Sequence, residues 1–266
     1  MKEQLEKVLE GNSLSFNEAY ETMFSVMSGE ENNSQIAALL TALKVKGETS
    51  EEIAGFAKAM QEKSIKIKCD DDNAIDVCGT GGDGSGTFNI STAVSFVLAG
   101  AGVKVAKHGN RSITSKSGSS DVLQELGINV QLAPALSEQS LNEIGIAFLF
   151  APLYHPAMKY VAPIRRELGF RTAFNILGPL TNPAQTKRQM IGTFNDNASM
   201  LMSQAASLLD KEKVTFICTN NSYDEITLTH PAKINEVSAG SSPVSYELTH
   251  DEFEYPQIEW WGRRYS

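Results

Sequence analysis

Apolar positions in the first part of the chain recur at helical spacing. Ile36, Leu39, Leu40 and Leu43 fall on one face of NSQIAALLTALKVKG, and Gly47 follows them. Upstream, Ser15 and Glu18 form a capping box before AYETMFSVM, and Gly29 suits the stop. Ser50 is placed to cap EEIAGFAKAMQEK. Short helices with short loops predict a small helical bundle, an all-α domain over residues 1–66. It carries no visible chemistry and reads as a scaffold or subunit interface.

From residue 74 the pattern changes. AIDVC, VKVA, AFLF and KVTFIC are short continuous apolar runs, as in strands buried on both faces. STAVSFVLAGAG, SSDVLQELG and NASMLMSQAASLL are helical segments between them. The alternation predicts an α/β domain over 67–266, with a mostly parallel sheet flanked by helices. Residues 233–248 alternate in character and predict edge strands.

Composition adds limits. The 266 residues are 41% hydrophobic and 21% charged, enough apolar material for a core and too ordinary for disorder. No apolar run is long enough to cross a bilayer, and the acidic MKEQLEKVLEGN lacks the features of a signal peptide. The expectation is a cytoplasmic protein with no membrane partner. Cys69, Cys78 and Cys218 lack metal-ligand spacing and fit reduced thiols. A net charge of −9 argues against nucleic acid as a partner. Any phosphate must then be attracted locally, against the global field.

The densest feature is CGTGGDGSGTFNIST, with five glycines directly after a strand. Glycine lets backbone N–H groups turn toward a ligand, and a helix start near Ser91 and Thr92 adds a positive dipole end. Strand, glycine loop and helix start make an anion site, with phosphate as the natural occupant. Gly79, Gly81 and Gly84 satisfy G-x-G-x-x-G, but the helix starts too late for a dinucleotide site, and VKVA leads into Lys107 where an acid is needed. No Gly-Lys-Ser/Thr supports a Walker A loop. A second loop, KHGNRSITSKSGSSD, follows another strand and mixes Lys107, His108, Arg111 and Lys116 with hydroxyl donors. Ser119 or Ser120 is placed to cap the helix after it. Asp224 and Glu225 follow KVTFIC and a polar turn, where paired carboxylates can hold Mg²⁺ beside substrate phosphates. A fourth stretch, HPAMKYVAPIRRELGFRTAFNILGPLTNPA, supplies His155, Arg165, Arg166 and Arg171. The residues alone imply a polyphosphate, a divalent ion and a second partner of acidic character.

DVCGTGGDGSGTFNIST, KHGNRSITSKSGSSDVLQELG and HPAMKYVAPIRRELGFRTAFNILGPLTNP closely resemble the motifs of the anthranilate phosphoribosyltransferase family, from the helical N-terminus to about residue 250. The resemblance implies the nucleoside phosphorylase/phosphoribosyltransferase-like fold and a homodimer formed through the N-terminal helices. It implies transfer of phosphoribose from phosphoribosyl pyrophosphate (PRPP) to the amine of anthranilate, a step of tryptophan biosynthesis, with Mg²⁺ as cofactor. Gly79, Gly82, Asp83, Thr87, Asn89, Ile90, Ser91 and Thr92 would surround PRPP. Lys107, His108, Gly109, Asn110, Arg111, Ser112, Ile113, Thr114, Ser115 and Ser119 would complete that cradle. Ser91, Asp224 and Glu225 would serve the metal. Gly79, Asn110 and Arg165 would bind anthranilate, with Arg165 facing its carboxylate and His108, His155 and Gly178 lining the same channel. Lys107 and Arg165 are the candidate catalytic residues. A same-fold phosphorylase or phosphoribosyltransferase with another acceptor, and a nucleic-acid-binding paralogue, stay open on the residues alone.

The chain departs from the family pattern twice. Thr219-Asn220-Asn221-Ser222-Tyr223 replaces the glycine-rich turn that the resemblance implies before the acid pair. The family continues past residue 259 through elements that open on Gly-Gly-Asp-Ala, whereas this chain ends Glu259-Trp260-Trp261-Gly262-Arg263-Arg264-Tyr265-Ser266. Trp-Trp-Gly is necessarily encoded TGGTGGGG, which reads Gly-Gly one base later. The expectation is a C-terminally shortened member, produced by a frameshift, that either retains the activity or is an inactive relic.

Overall fold

The computed structural model describes residues 1–81, 88–111 and 118–253. The chain opens with four helices: α1 (Lys2–Leu9), α2 (Phe16–Ser28), α3 (Asn33–Lys46) and α4 (Ser50–Glu62). The capping box of Ser15 and Glu18 starts α2, and Gly29 ends it in the left-handed region at φ 75°. The cap of α4 is Thr49, not Ser50. Thr49 takes the N–H of Glu52, whose carboxylate takes the N–H of Thr49, and that reciprocal pair needs a spacing of three that Ser50 lacks. Fully buried Glu52 also accepts from Leu14 N at 2.9 Å and Lys46 Nζ at 3.0 Å. It ties α4 to the α1–α2 connection and to the end of α3.

The rest is α/β. In order come β1 (Ile75–Gly79), α5 (Ile90–Gly100), β2 (Val105–Gly109), α6 (Ser119–Glu125), α7 (Pro134–Glu143), β3 (Ile146–Phe150), the single turn α8 (Ala151–Tyr154), α9 (Ala162–Leu168), the single turn α10 (Phe174–Leu177), β4 (Arg188–Gly192), α11 (Asp196–Ala206), β5 (Lys213–Thr219), β6 (Ala232–Ser238) and β7 (Val244–Leu248). The sheet order is β3-β2-β1-β4-β5-β6-β7. The first five strands are parallel, and β6 and β7 close one edge antiparallel, as the alternation over 233–248 predicts. Helices α7 and α9 and the single turns α8 and α10 are additions to the three helical segments read from the sequence, and two further features differ from that reading. Strand β4 is new: its RQMIG carries Arg188 and Gln189, and those polar side chains hide the apolar run. Helix α6 is capped by Gly118, with Asp121 accepting its N–H at 2.7 Å, so Ser119 and Ser120 lie inside the first turn.

One hydrophobic cluster runs from Leu39 and Phe56 in the helical bundle through Leu177 to Ile191, Val214 and Phe216 in the sheet. Helix α4 packs on α11 and α10, so the bundle is seated on the face of the α/β unit. Among the described residues no helix is long and apolar enough to cross a membrane. The expectation for residues 260–266 lies outside the described residues.

Candidate active site

The candidate residues gather at the C-terminal ends of the parallel strands, where open α/β sheets place their ligands. Strand β1 ends at Gly79, and a side chain there would meet Asp224 Oδ2 at 2.9 Å. In the neighbouring strand, a side chain on Gly192 would collide with the main chain of Asp224. Two glycines therefore let the loop after β5 lie directly against β1. Asn220 and Asn221 turn that loop at φ 51° and 52°. Asparagine is the side chain that best tolerates this region after glycine, so the pair does what a glycine-rich turn would do. Thr219 Oγ1 donates to the carbonyl of Glu225 at 2.7 Å and fixes the acid pair. Ser91, in the first turn of α5, donates to Glu225 Oε1 at 3.2 Å. Ser91, Asp224, Glu225 and Gly79 are thus brought together as the resemblance implies.

One hydroxyl and two carboxylates are oxygen ligands of the kind Mg²⁺ takes, with phosphate oxygens and water filling its other positions. Among the described residues no cluster of three His, Cys, Asp or Glu side chains forms a complete metal cage. The donor set fits a metal shared with a phosphorylated substrate better than a structural ion.

Strand β2 supplies the second group. Lys107 is buried, and its Nζ donates to the carbonyl of Val77 at 2.6 Å. Burial lowers its pKa, and the charges of Asp76, Cys78 and Glu225 oppose that shift. In this conformation its ammonium bridges two strands instead of standing out in the loop. His108 is buried too, with Nδ1 3.2 Å from the carbonyl of Gly178. A carbonyl only accepts, so Nδ1 carries the proton and Nε2 presents a lone pair. Burial first, and His155 second, push His108 down to about 3. Burial likewise pushes His155 down to about 4. The two rings lie 5.1 Å apart between centroids, and both are neutral near pH 7. Their Nε2 atoms are buried and unpartnered.

Arg165, on α9, lies with its guanidinium 5.3 Å from the ring of Phe174. Burial lowers its pKa, and among the described residues no carboxylate pairs with it. Such an arginine is ready for a ligand's acid group. Asn110 and Arg111 are exposed; Asn110 Oδ1 accepts from the N–H of Arg111 at 2.8 Å, and the Arg111 guanidinium lies 5.9 Å from the Phe150 ring. Asn89, Ile90 and Thr92 stand at the start of α5, Gly109 at the end of β2 and Ser119 at the start of α6. Gly82, Asp83, Thr87, Ser112, Ile113, Thr114 and Ser115 lie outside the described residues.

Sequence reasoning missed Asp76 and Gln189. Asp76 is fully buried, accepting from the N–H of His108 and from Gln189 Nε2, each at 3.1 Å. Its signal was an acid inside the apolar run AIDVC.

Residues 71–259 match the family described as "Glycosyl transferase family, a/b domain", and residues 2–64 match "Glycosyl transferase family, helical bundle domain". An anthranilate phosphoribosyltransferase from Caldanaerobacter subterraneus subsp. tengcongensis is 48% identical over 256 residues, covering 96% of this chain and 75% of that protein. The crystal structure of anthranilate phosphoribosyltransferase from Thermus thermophilus superposes with a TM-score of 0.86 at 39% identity, over 96% of this chain and 75% of that one. The Saccharomyces cerevisiae enzyme in complex with PRPP and Mg gives 0.85 at 26% identity, over 97% of this chain and 75% of that one. With both family models matched along the chain and a relative 48% identical over three quarters of its own length, the chain belongs to the anthranilate phosphoribosyltransferase family.

Proposed function

We infer that this chain transfers the phosphoribosyl group of PRPP to the amine of anthranilate, giving N-(5-phosphoribosyl)anthranilate and pyrophosphate, a step of tryptophan biosynthesis. One observation carries the reading: a hydroxyl–carboxylate cluster and a neutral histidine pair stand at the C-terminal ends of the parallel strands, and helix α9 adds a half-buried arginine with no carboxylate partner among the described residues. The first suits a metal-bound pyrophosphate; the others suit an aromatic acid.

Gly79 and the residues 89–92 at the start of α5 receive PRPP, with Gly82, Asp83 and Thr87 completing the loop. Residues 107–115 and Ser119 close the cradle. Ser91, Asp224 and Glu225 hold Mg²⁺, which supplies charge neutralisation for the departing pyrophosphate. Arg165 pairs with the anthranilate carboxylate, and Gly79, Asn110, His108, His155 and Gly178 shape the channel for its ring. The new bond joins the amine nitrogen to the anomeric carbon as the bond from that carbon to pyrophosphate breaks. An aromatic amine is already neutral at pH 7, so its lone pair needs no strong base. Neutral imidazoles leave the field of Arg165 free to attract the acid, and the lone pair of His108 Nε2 orients an N–H donor. Catalysis is then positioning and electrostatics. Charged sugar phosphates do not cross membranes unaided, so the enzyme works in the compartment that makes PRPP, in this reading the cytoplasm.

The helical bundle, residues 1–66, is the contact of a homodimer in this reading. Leu9 and Val45 stand 67% and 83% exposed on it and line one groove with Val8, Ala37 and Ala42, a contiguous apolar face of the kind that partners cover. Light scattering on the purified chain should return twice the monomer mass.

The test of function is the fluorescence of anthranilate with PRPP and Mg²⁺. It should fall in proportion to enzyme, and fail without metal. Turnover with a pyrimidine in place of anthranilate, and none with anthranilate, would sink the assignment.

A further inference from the structure

Every parallel ladder in the sheet but one runs five residue pairs. β1–β4, β2–β3 and β4–β5 do so, whereas β1 and β2 pair only at Ile75 and Val105. Continued in register, that ladder would give the N–H of His108 to the carbonyl of Val77, and the N–H of Val77 to the carbonyl of Ala106. Side chains take those positions instead. The N–H of His108 goes to Asp76 Oδ1, at 3.1 Å. The carbonyl of Val77 receives Lys107 Nζ, at 2.6 Å. The carbonyl of Ala106 receives Asn182 Nδ2, at 2.8 Å. The two strands part toward the edge that carries both anion loops, and buried polar side chains span the gap.

Asp76 stands at the centre of this arrangement. Its second oxygen accepts from Gln189 Nε2 at 3.1 Å, and the same amide reaches the carbonyl of Pro179 at 2.8 Å. One carboxylate thereby fixes β1 to His108 on β2 and, through Gln189 on β4, to the turn beside Gly178. These are the three segments that hold PRPP on one side and the aromatic acceptor on the other. A buried carboxylate kept only for stability would be a poor choice, since an apolar residue of like size would cost less. We propose that Asp76 is a positioning residue for the transfer, setting the distance between the phosphate cradle and the acceptor channel without touching either substrate. The inference rests on the function proposed above.

The test is steady-state kinetics on Asp76→Asn, Asp76→Glu and Gln189→Met, each well below its own melting temperature. Asp76→Glu keeps the charge and moves it by one methylene. Gln189→Met keeps volume, leaves the carboxylate in place and cuts the amide's bonds to Asp76 and to the carbonyl of Pro179, so it serves where an Asp76 variant does not fold. An error of an ångström in alignment costs about a hundredfold. We expect kcat to fall on that order for Asp76→Glu and by about tenfold for Gln189→Met, with both KM values held within about threefold because neither residue meets substrate. Folded variants with the parent kcat, or with losses confined to KM, overturn the proposal. A parent chain that fails to turn over PRPP and anthranilate overturns the functional reading, and the positioning role falls with it; an active parent beside unaltered variants refutes the positioning role alone.

Discussion

In the proposed function, Arg165 is the residue on which acceptor choice turns. A charge-assisted contact is worth about 1.5–3 kcal/mol, so Arg165→Ala should raise KM for anthranilate by about ten- to a hundredfold and leave KM for PRPP nearly unchanged. The acid pair behaves differently. Glu225→Gln removes a proposed metal ligand and weakens the acceptor of Ser91, so the Mg²⁺ concentration for half-maximal rate should rise several-fold, read from metal titrations of turnover. Much of the site was legible at this scale, because glycines, loop cations and paired acids are unusual in short spans. What was not legible depends on contacts between distant residues. Lys107 reads as a loop cation, yet it belongs to β2 and its ammonium is buried against the carbonyl of Val77. Gln189 reads as an ordinary polar residue until β4 is seen to bring it to Asp76, 113 residues away in the chain. The asparagine pair at 220 and 221 reads as a departure from the family until its backbone angles explain it.

Elements repeat the lesson. The helices of the bundle, α5, α6 and α11 were legible because their periodicity and caps are local, whereas α7 and α9 were not; four of the five parallel strands were legible because each contains a short, largely apolar run. β4 escaped because Arg188 and Gln189 break its apolar run, the buried Gln189 being needed for its bond to Asp76. The two misplaced caps share one cause: the carboxylate three residues downstream selects the cap, and it chose Thr49 and Gly118 over the serines beside them. Thr49→Ala should therefore lower stability by about 1 kcal/mol, and Ser50→Ala by much less, measured by urea denaturation. Glu52→Ala should cost about 3 kcal/mol or more, since it strands the N–H of Leu14 and leaves the largely buried ammonium of Lys46 without its counter-charge.

At the scale of the whole molecule, the histidine pair couples folding to pH. Both folded values, about 3 and about 4, lie below the unfolded value near 6.5. Between those limits the unfolded chain binds more protons, so the contribution is complete above about pH 6.5 and is lost as pH falls. At pH 5 each histidine should withdraw about 2 kcal/mol, and His108→Gln should flatten the acid limb of a melting-temperature profile. The order of the sheet has a consequence in time. β1 lies between β2 and β4, and β4 leaves the ribosome more than a hundred residues after β1. The bundle α1–α4 is made of neighbours in sequence and can collapse as it emerges, whereas the central ladder waits for nearly three quarters of the chain. During synthesis a finished helical piece therefore trails an open, apolar β1–β3 sheet, and the interval before β4 arrives is when the nascent chain most needs a chaperone.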